Sequence, residues 1–208
     1  MSKPIVLGIV GGIGSGKSYI ARIMGEAGAV VYDADREVTA LYRKPEVLDT
    51  IRSWWGDEAV VDGQLDRATV ARVIFEDESQ RDRLESLLFP MLAEHRAELI
   101  RRAGEDGGKV VVIDAPLLFE AGLDEQCDAV VFVDTPREIR LRRLKSRSGW
   151  DEAELARREK AQLPLDVKRE RSDYVLSGAG TADEVRDRVL RFLNEIAADS
   201  SRIKSRRK

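Results

Sequence analysis

Gly11-Gly12-Ile13-Gly14-Ser15-Gly16-Lys17-Ser18 reads G-x-x-x-x-G-K-[ST] in full, a spacing suited to holding a polyphosphate. Glycines reach backbone angles closed to other residues and turn successive N–H groups inward around phosphate oxygens. A helix starting at the loop adds the positive end of its dipole. Lys17 is expected to reach the β- and γ-phosphates of ATP, and the Ser18 hydroxyl to ligate Mg²⁺. Gly12, Gly14, Ser15, Gly16, Lys17, Ser18 and the adjoining Tyr19 are therefore assigned to nucleotide binding.

Asp33 and Asp35 stand one residue apart where a second strand should end. Open α/β sheets bind ligands at that carboxyl edge, and in an extended chain alternate residues face the same side. Transfer of a phosphoryl group to an alcohol needs a carboxylate that orients the hydroxyl and takes its proton. Asp35 is assigned that role, and Asp33 a place nearer the metal; either could instead cap the helix that follows. A third carboxylate, Asp114, closes the apolar run Val111-Val112-Ile113, which suits either an Mg²⁺ ligand or a strand-end turn. Leu117 and Leu118 follow it, as core or as the wall of an acceptor pocket.

Arg137, Arg140, Arg142, Arg143, Lys145 and Arg147 make one stretch strongly basic. Arg140, Arg143 and Arg147 fall at i, i+3 and i+7, so they share a helical face. Such a face is ordinarily solvated, yet planar, permanently charged donors are what a transferring phosphoryl group requires. With Asp151-Glu152-Ala153-Glu154 opening a further helix, the segment reads as a helix–loop–helix lid.

Positioning these residues calls for alternating strands and helices, the pattern of a parallel sheet covered on its faces. Strands are expected at Ile5–Val10, Ala29–Tyr32, Lys109–Ile113, Ala129–Val133 and Tyr174–Leu176. The runs at 109–113 and 129–133 are almost wholly apolar, as for strands buried on both faces. Ile20, Ile23, Met24 and Ala27 line one side of the helix after the loop, which Gly28 should stop. Thr135-Pro136-Arg137-Glu138 and Thr181-Ala182-Asp183-Glu184 both have capping-box spacing. From Ala34 to Glu105 the period is helical with no convincing strand, and a bend is expected at Pro90.

The 208 residues suit one domain with an inserted part, 43% of them hydrophobic and 35% charged. With 35 Lys and Arg against 38 Asp and Glu the formal charge is -3, so nucleic acid is not an expected partner. The single cysteine, Cys127, fits a reducing compartment. No run approaches the roughly 20 apolar residues of a membrane span, and Ile5–Val10 is too short for a signal-peptide core. A cytoplasmic protein with no membrane partner is expected. Lys204-Ser205-Arg206-Arg207-Lys208 reads as a solvated basic tail. Oligomeric state is left open.

Taken together, the motifs resemble those of the dephospho-coenzyme A kinase family along nearly the whole chain. Gly11–Lys17 is similar to the family's loop, Asp33-Ala34-Asp35 to its Asp-Ala-Asp, and Pro116-Leu117-Leu118-Phe119-Glu120 to its Pro-Leu-Leu-x-Glu. Arg143 and Arg147 fall on its lid pair, Gln162 on a following Gln, and Asp173 on an Asp before the last strand. The resemblance implies an α/β fold of the P-loop NTPase and nucleoside-monophosphate-kinase kind: a five-stranded parallel sheet flanked by helices. It implies a single kinase domain, with residues 1–33, 105–135 and 172–208 as nucleotide-binding core, 34–104 as helical acceptor-binding subdomain and 136–171 as lid. The implied reaction moves the ATP γ-phosphate, with Mg²⁺, to the ribose 3′-hydroxyl of dephospho-coenzyme A. Asp35, Lys17 and Arg143 then do the chemistry, Arg147 binds ATP, and Asp35, Phe89, Leu117 and Leu118 meet the acceptor. Val10, Phe89 and Gly178 depart from the family's usual Thr, His and Asn. Another small-molecule or nucleotide kinase of the same fold would share most of these features, and a nucleotide-binding switch would share the loop. The helical insert and the arginine helix favour a kinase.

Overall fold

The apolar runs pair side by side in the computed structural model, which describes residues 3–198 and residue 203; the basic tail 204–208 lies outside them. In chain order the elements are β1 (Ile5–Gly11), α1 (Lys17–Glu26), β2 (Val30–Asp33), α2 (Ala34–Leu41), α3 (Pro45–Trp55), β3 (Val60–Val61), β4 (Gln64–Leu65), α4 (Arg67–Glu76) and α5 (Glu78–Glu105). There follow β5 (Val110–Asp114), β6 (Ala129–Asp134), α6 (Arg137–Ser148), α7 (Glu152–Glu159), α8 (Leu165–Glu170), β7 (Tyr174–Ser177) and α9 (Ala182–Ala198).

Five strands form a parallel sheet in the order β2-β5-β1-β6-β7. The three central strands are buried almost throughout, which is why they carry no polar alternation. On one face Ile5, Leu7 and Ile9 pack with Ile20, Ile23 and Met24 of α1 and with Val185, Val189 and Phe192 of α9. Each such side chain contributes about 1.5–3 kcal/mol on burial. At their amino ends the strands are fastened by side chains: Asp128 accepts from Val6 N–H at 2.8 Å, and Asp173 from Val130 N–H at 2.8 Å. Asp173 is thus a strand fastener.

By internal contacts the chain divides into two compact units, Met1–Asp33 with Ile100–Lys208, and Ala34–Leu99. The first holds the sheet. The second has its own apolar core, in which Leu41, Val47, Leu48, Ile51, Val60, Val70, Leu84 and Leu88 meet. It also holds a short antiparallel hairpin, β3–β4, where the sequence suggested helix alone. Asp62 and Gly63 form its turn at φ 51° and 71°, the two positive angles of a tight hairpin turn that Asp-Gly favours. Strands of two residues are too short to show a period. Pro90 sits inside α5, which continues to Glu105.

One cap expectation needs correction, and at the start of α7 the capping-box spacing of Asp151 and Glu154 is only half used. Thr135 does not cap α6: that helix has Pro136 at its N-cap without a side-chain bond, and the Thr135 hydroxyl donates instead to the Ser15 carbonyl at 2.9 Å. Asp151 does cap α7, accepting from Glu154 N–H at 2.8 Å, but Glu154 turns to Arg157 and Arg158 and closes no box. At Thr181 and Glu184 both bonds of the box are present. Among the described residues no helix is long and apolar enough to cross a membrane.

Candidate active site

β1 ends at Gly11, and the chain then wraps through the glycine-rich loop into α1. Gly14 and Gly16 take φ of 78° and 96°, a region where an L side chain is strained. Side chains of the loop and of α6 hold several of the loop carbonyls. Lys17 Nζ donates to the Gly11 and Gly12 carbonyls at 3.1 and 3.4 Å. Arg140 Nη1 donates to the Ile13 carbonyl at 3.1 Å. The Ser15 carbonyl accepts from Thr135 and from Arg143 Nη1 at 3.0 Å. Ser15 itself is fully buried, so it serves through its backbone. Ser18 and Tyr19, in the first turn of α1, are exposed.

The face shared by Arg140, Arg143 and Arg147 is divided by depth. Arg140 is 3% exposed and is ion-paired to Glu159 Oε1 at 2.6 Å. Burial pushes the Glu159 carboxyl up, but Arg140 and Arg137 beside it hold it below the usual carboxylate range. Arg143, half-buried, spans two carbonyls, its Nη2 donating to Gly178 at 2.8 Å. Two of the five guanidinium N–H donors are thus engaged. Arg147 is exposed. The carboxylate that Arg140 meets comes from α7.

Beside the loop lies a cavity of about 420 Å³, a size typical of small-molecule sites. Gly14, Gly16 and Tyr19 line one side, Arg143, Leu144 and Arg147 another, and Gly178, Gly180, Thr181 and Ala182 a third. The third wall went unread in the sequence except at Gly178. A Cβ at Gly178 would lie 2.5 Å from Thr135 Oγ1 and 2.6 Å from the Ser15 carbonyl. With Thr135 in that place no side chain fits, which accounts for glycine here.

At the carboxyl edge, Asp33 of β2 and Asp114 of β5 are register partners, and Asp114 is buried. Both carboxylates thus sit at neighbouring strand ends. Asp35 is exposed, in the first turn of α2; it and Phe89, which is 53% exposed, belong to the helical unit. Leu117 is 45% exposed, whereas Leu118 is fully buried, so close under β1 that a Cβ on Gly8 would come within 2.8 Å of it. Leu118 is therefore core, not a pocket wall. Its segment is tied down by a pair the sequence did not reveal: fully buried Lys168 meets Glu120 at 2.9 Å and Gln162 Oε1 at 3.1 Å. Leu163 N–H also donates to Glu120. Burial raises the Glu120 carboxyl, and these donors bring it below its ordinary value.

Residues 5–184 match the family model described as Dephospho-CoA kinase. A curated Dephospho-CoA kinase of Syntrophotalea carbinolica is 39% identical over 192 residues, 91% of this chain and 90% of the relative. A crystal structure of a Thermus thermophilus protein superposes with TM-score 0.78 at 34% identity, covering 93% of this chain and 98% of the other. A dephospho-CoA kinase from Campylobacter jejuni shares the fold, at TM-score 0.70 and 20% identity over 94% and 98% of the two chains.

Proposed function

The chain belongs to the dephospho-CoA kinase family, the enzymes of the last step of coenzyme A biosynthesis, and we propose that it performs that step by transferring the ATP γ-phosphate to the ribose 3′-hydroxyl of dephospho-coenzyme A. The observation that carries this reading is the loop with its carbonyls held outward beside a cavity of nucleotide size.

In this reading the adenosine part of ATP occupies the cavity between Tyr19, Arg147 and the Gly178–Ala182 wall. The phosphates lie along the loop N–H groups, with Lys17 on the β- and γ-phosphates. Mg²⁺ would be held by Ser18 and Asp33, with Asp114 next to Asp33 in register. One hydroxyl and one or two carboxylates, completed by phosphate oxygens and water, form the hard-oxygen set that Mg²⁺ prefers. When bound, the ion neutralises charge on the β- and γ-phosphates.

Asp35 follows Asp33 by two residues. Its exposed carboxylate takes the proton of the acceptor hydroxyl as that oxygen bonds to phosphorus and the β–γ bridging oxygen leaves with ADP. Phe89 and Leu117 offer exposed apolar surface to the acceptor. Arg143 supplies guanidinium donors to the transferring group.

With ATP and Mg²⁺, dephospho-coenzyme A should be phosphorylated far faster than shikimate, AMP or adenosine in a coupled ADP-release assay. Preference for one of the others would leave a kinase but remove this acceptor. Asp35→Asn should lower turnover about 10²- to 10⁴-fold, the usual scale of acid–base contributions, with little change in ATP affinity. A much larger loss in Asp33→Asn than in Asp35→Asn would reverse the two roles.

A further inference from the structure

Arg140 sits where no exposed charged face would put it. Its side chain is 4% exposed, and its Nε is buried without a hydrogen-bond partner, an arrangement that costs stability. An apolar side chain of similar length would avoid that cost. What such a side chain could not do is donate, and Arg140 Nη1 donates to the Ile13 carbonyl at 3.1 Å while meeting Glu159 at 2.6 Å. The same guanidinium lies over Gly12, where a Cβ would come within 2.7 Å of Nη1.

In a trans peptide the C=O and the following N–H point in opposite directions. Holding the Ile13 oxygen on the α6 side therefore aims the Gly14 N–H away from α6. Gly14 packs against the Arg140 carbonyl and Leu144, but packing does not fix which way a glycine peptide turns its oxygen, and such peptides rotate readily. A flipped Ile13–Gly14 peptide would present an oxygen in place of an N–H to an incoming phosphate.

We propose that Arg140 is a positioning residue for the phosphate-binding loop, fixing the Ile13–Gly14 peptide in its anion-binding orientation, and that Glu159 of α7 holds the arginine in place. Arg137 shares Glu159, at 2.7 Å, and spends its other donors on Glu152. The α6–α7 pair thereby sets the order of the loop before nucleotide arrives, so the contribution belongs to ground-state preorganisation of binding. The inference rests on the nucleotide site proposed above and adds to it a residue that touches no substrate.

The test is calorimetric titration of ADP, alongside thermal melting and KM for both substrates. Arg140→Met keeps the length and packing and should raise the Kd for ADP about tenfold, the scale of one charge-assisted hydrogen bond. KM for ATP should rise with it, KM for dephospho-coenzyme A should hold, and Arg140→Lys should fall between Met and wild type. Glu159→Ala should raise the ADP Kd in the same direction, and the double variant should be no worse than Arg140→Met alone, because the two act as one unit. Arg137→Ala should stay within about twofold, as expected of an exposed ion pair. A folded Arg140→Met protein with unchanged ADP affinity overturns the proposal, as does a lower melting temperature with Kd unmoved. If Arg140→Met does not fold, Glu159→Ala decides by the same criterion. Wild-type protein that bound no ADP would overturn the nucleotide site, and this inference with it.

Discussion

Lys17→Ala is expected to fold normally and to lose turnover by about 10²- to 10³-fold or more, the effect of removing one preorganised donor from a developing charge. The Lys17 ammonium rests on the Gly11 and Gly12 carbonyls, which position it at the loop. Its loss removes two hydrogen bonds at a half-buried site, a small matter for a sheet whose strands are buried elsewhere. Circular dichroism and melting should therefore stay near wild type while steady-state turnover collapses. Near-normal turnover in a folded Lys17→Ala protein would show that this loop is not the catalytic ATP site.

Arg143→Ala should depress turnover by roughly 10³- to 10⁵-fold, the range for arginines that act in cis on a transferring phosphoryl group. ATP affinity should change less, since the contribution is stronger in the transition state than in the ATP complex. The structure adds a structural share to the loss: Arg143 braces the Ser15 and Gly178 carbonyls at 3.0 and 2.8 Å. Arg143→Lys should not restore activity, because an ammonium cannot span both carbonyls as the planar fork does. Arg142, about 100° around the same helix and exposed, should tolerate Ala. The comparison is steady-state kinetics of Arg142→Ala, Arg143→Ala and Arg147→Ala, with ATP affinity measured separately. Equal and mild effects at all three positions would make α6 a solvated charged face and nothing more.

How far these residues could be read in advance depended on how local their interactions are. The loop is eight consecutive residues whose glycine angles, lysine and hydroxyl are all set within one turn of chain, and so the spacing alone described it. The three central strands were legible for the same reason: burial on both faces leaves an apolar run that needs no partner to be recognised, and each expected strand, the half-buried edge strands β2 and β7 included, lies within a residue of its observed ends. The hairpin at Val60–Leu65 was passed over because two residues carry no period, although Asp62-Gly63 is a local signal for its turn.

Packing decided the rest. The spacing of Arg140, Arg143 and Arg147 defines a shared face but not what that face meets. Arg140 reaches a carbonyl 127 residues away, and its carboxylate partner is 19 residues off. Thr135 has the spacing of a cap, yet the loop brings the Ser15 carbonyl, 120 residues distant, within reach of its hydroxyl. Leu117 and Leu118 are adjacent and chemically identical, and only the position of β1 separates one as surface from the other as core. Lys168 reads as one more charged residue of a polar helix until the fold buries it against Glu120. Backbone geometry and apolar period belong to neighbouring residues and so are written in the order of the chain. The pairing of a buried charge belongs to whichever distant group the fold delivers to it, and only the tertiary structure determined that.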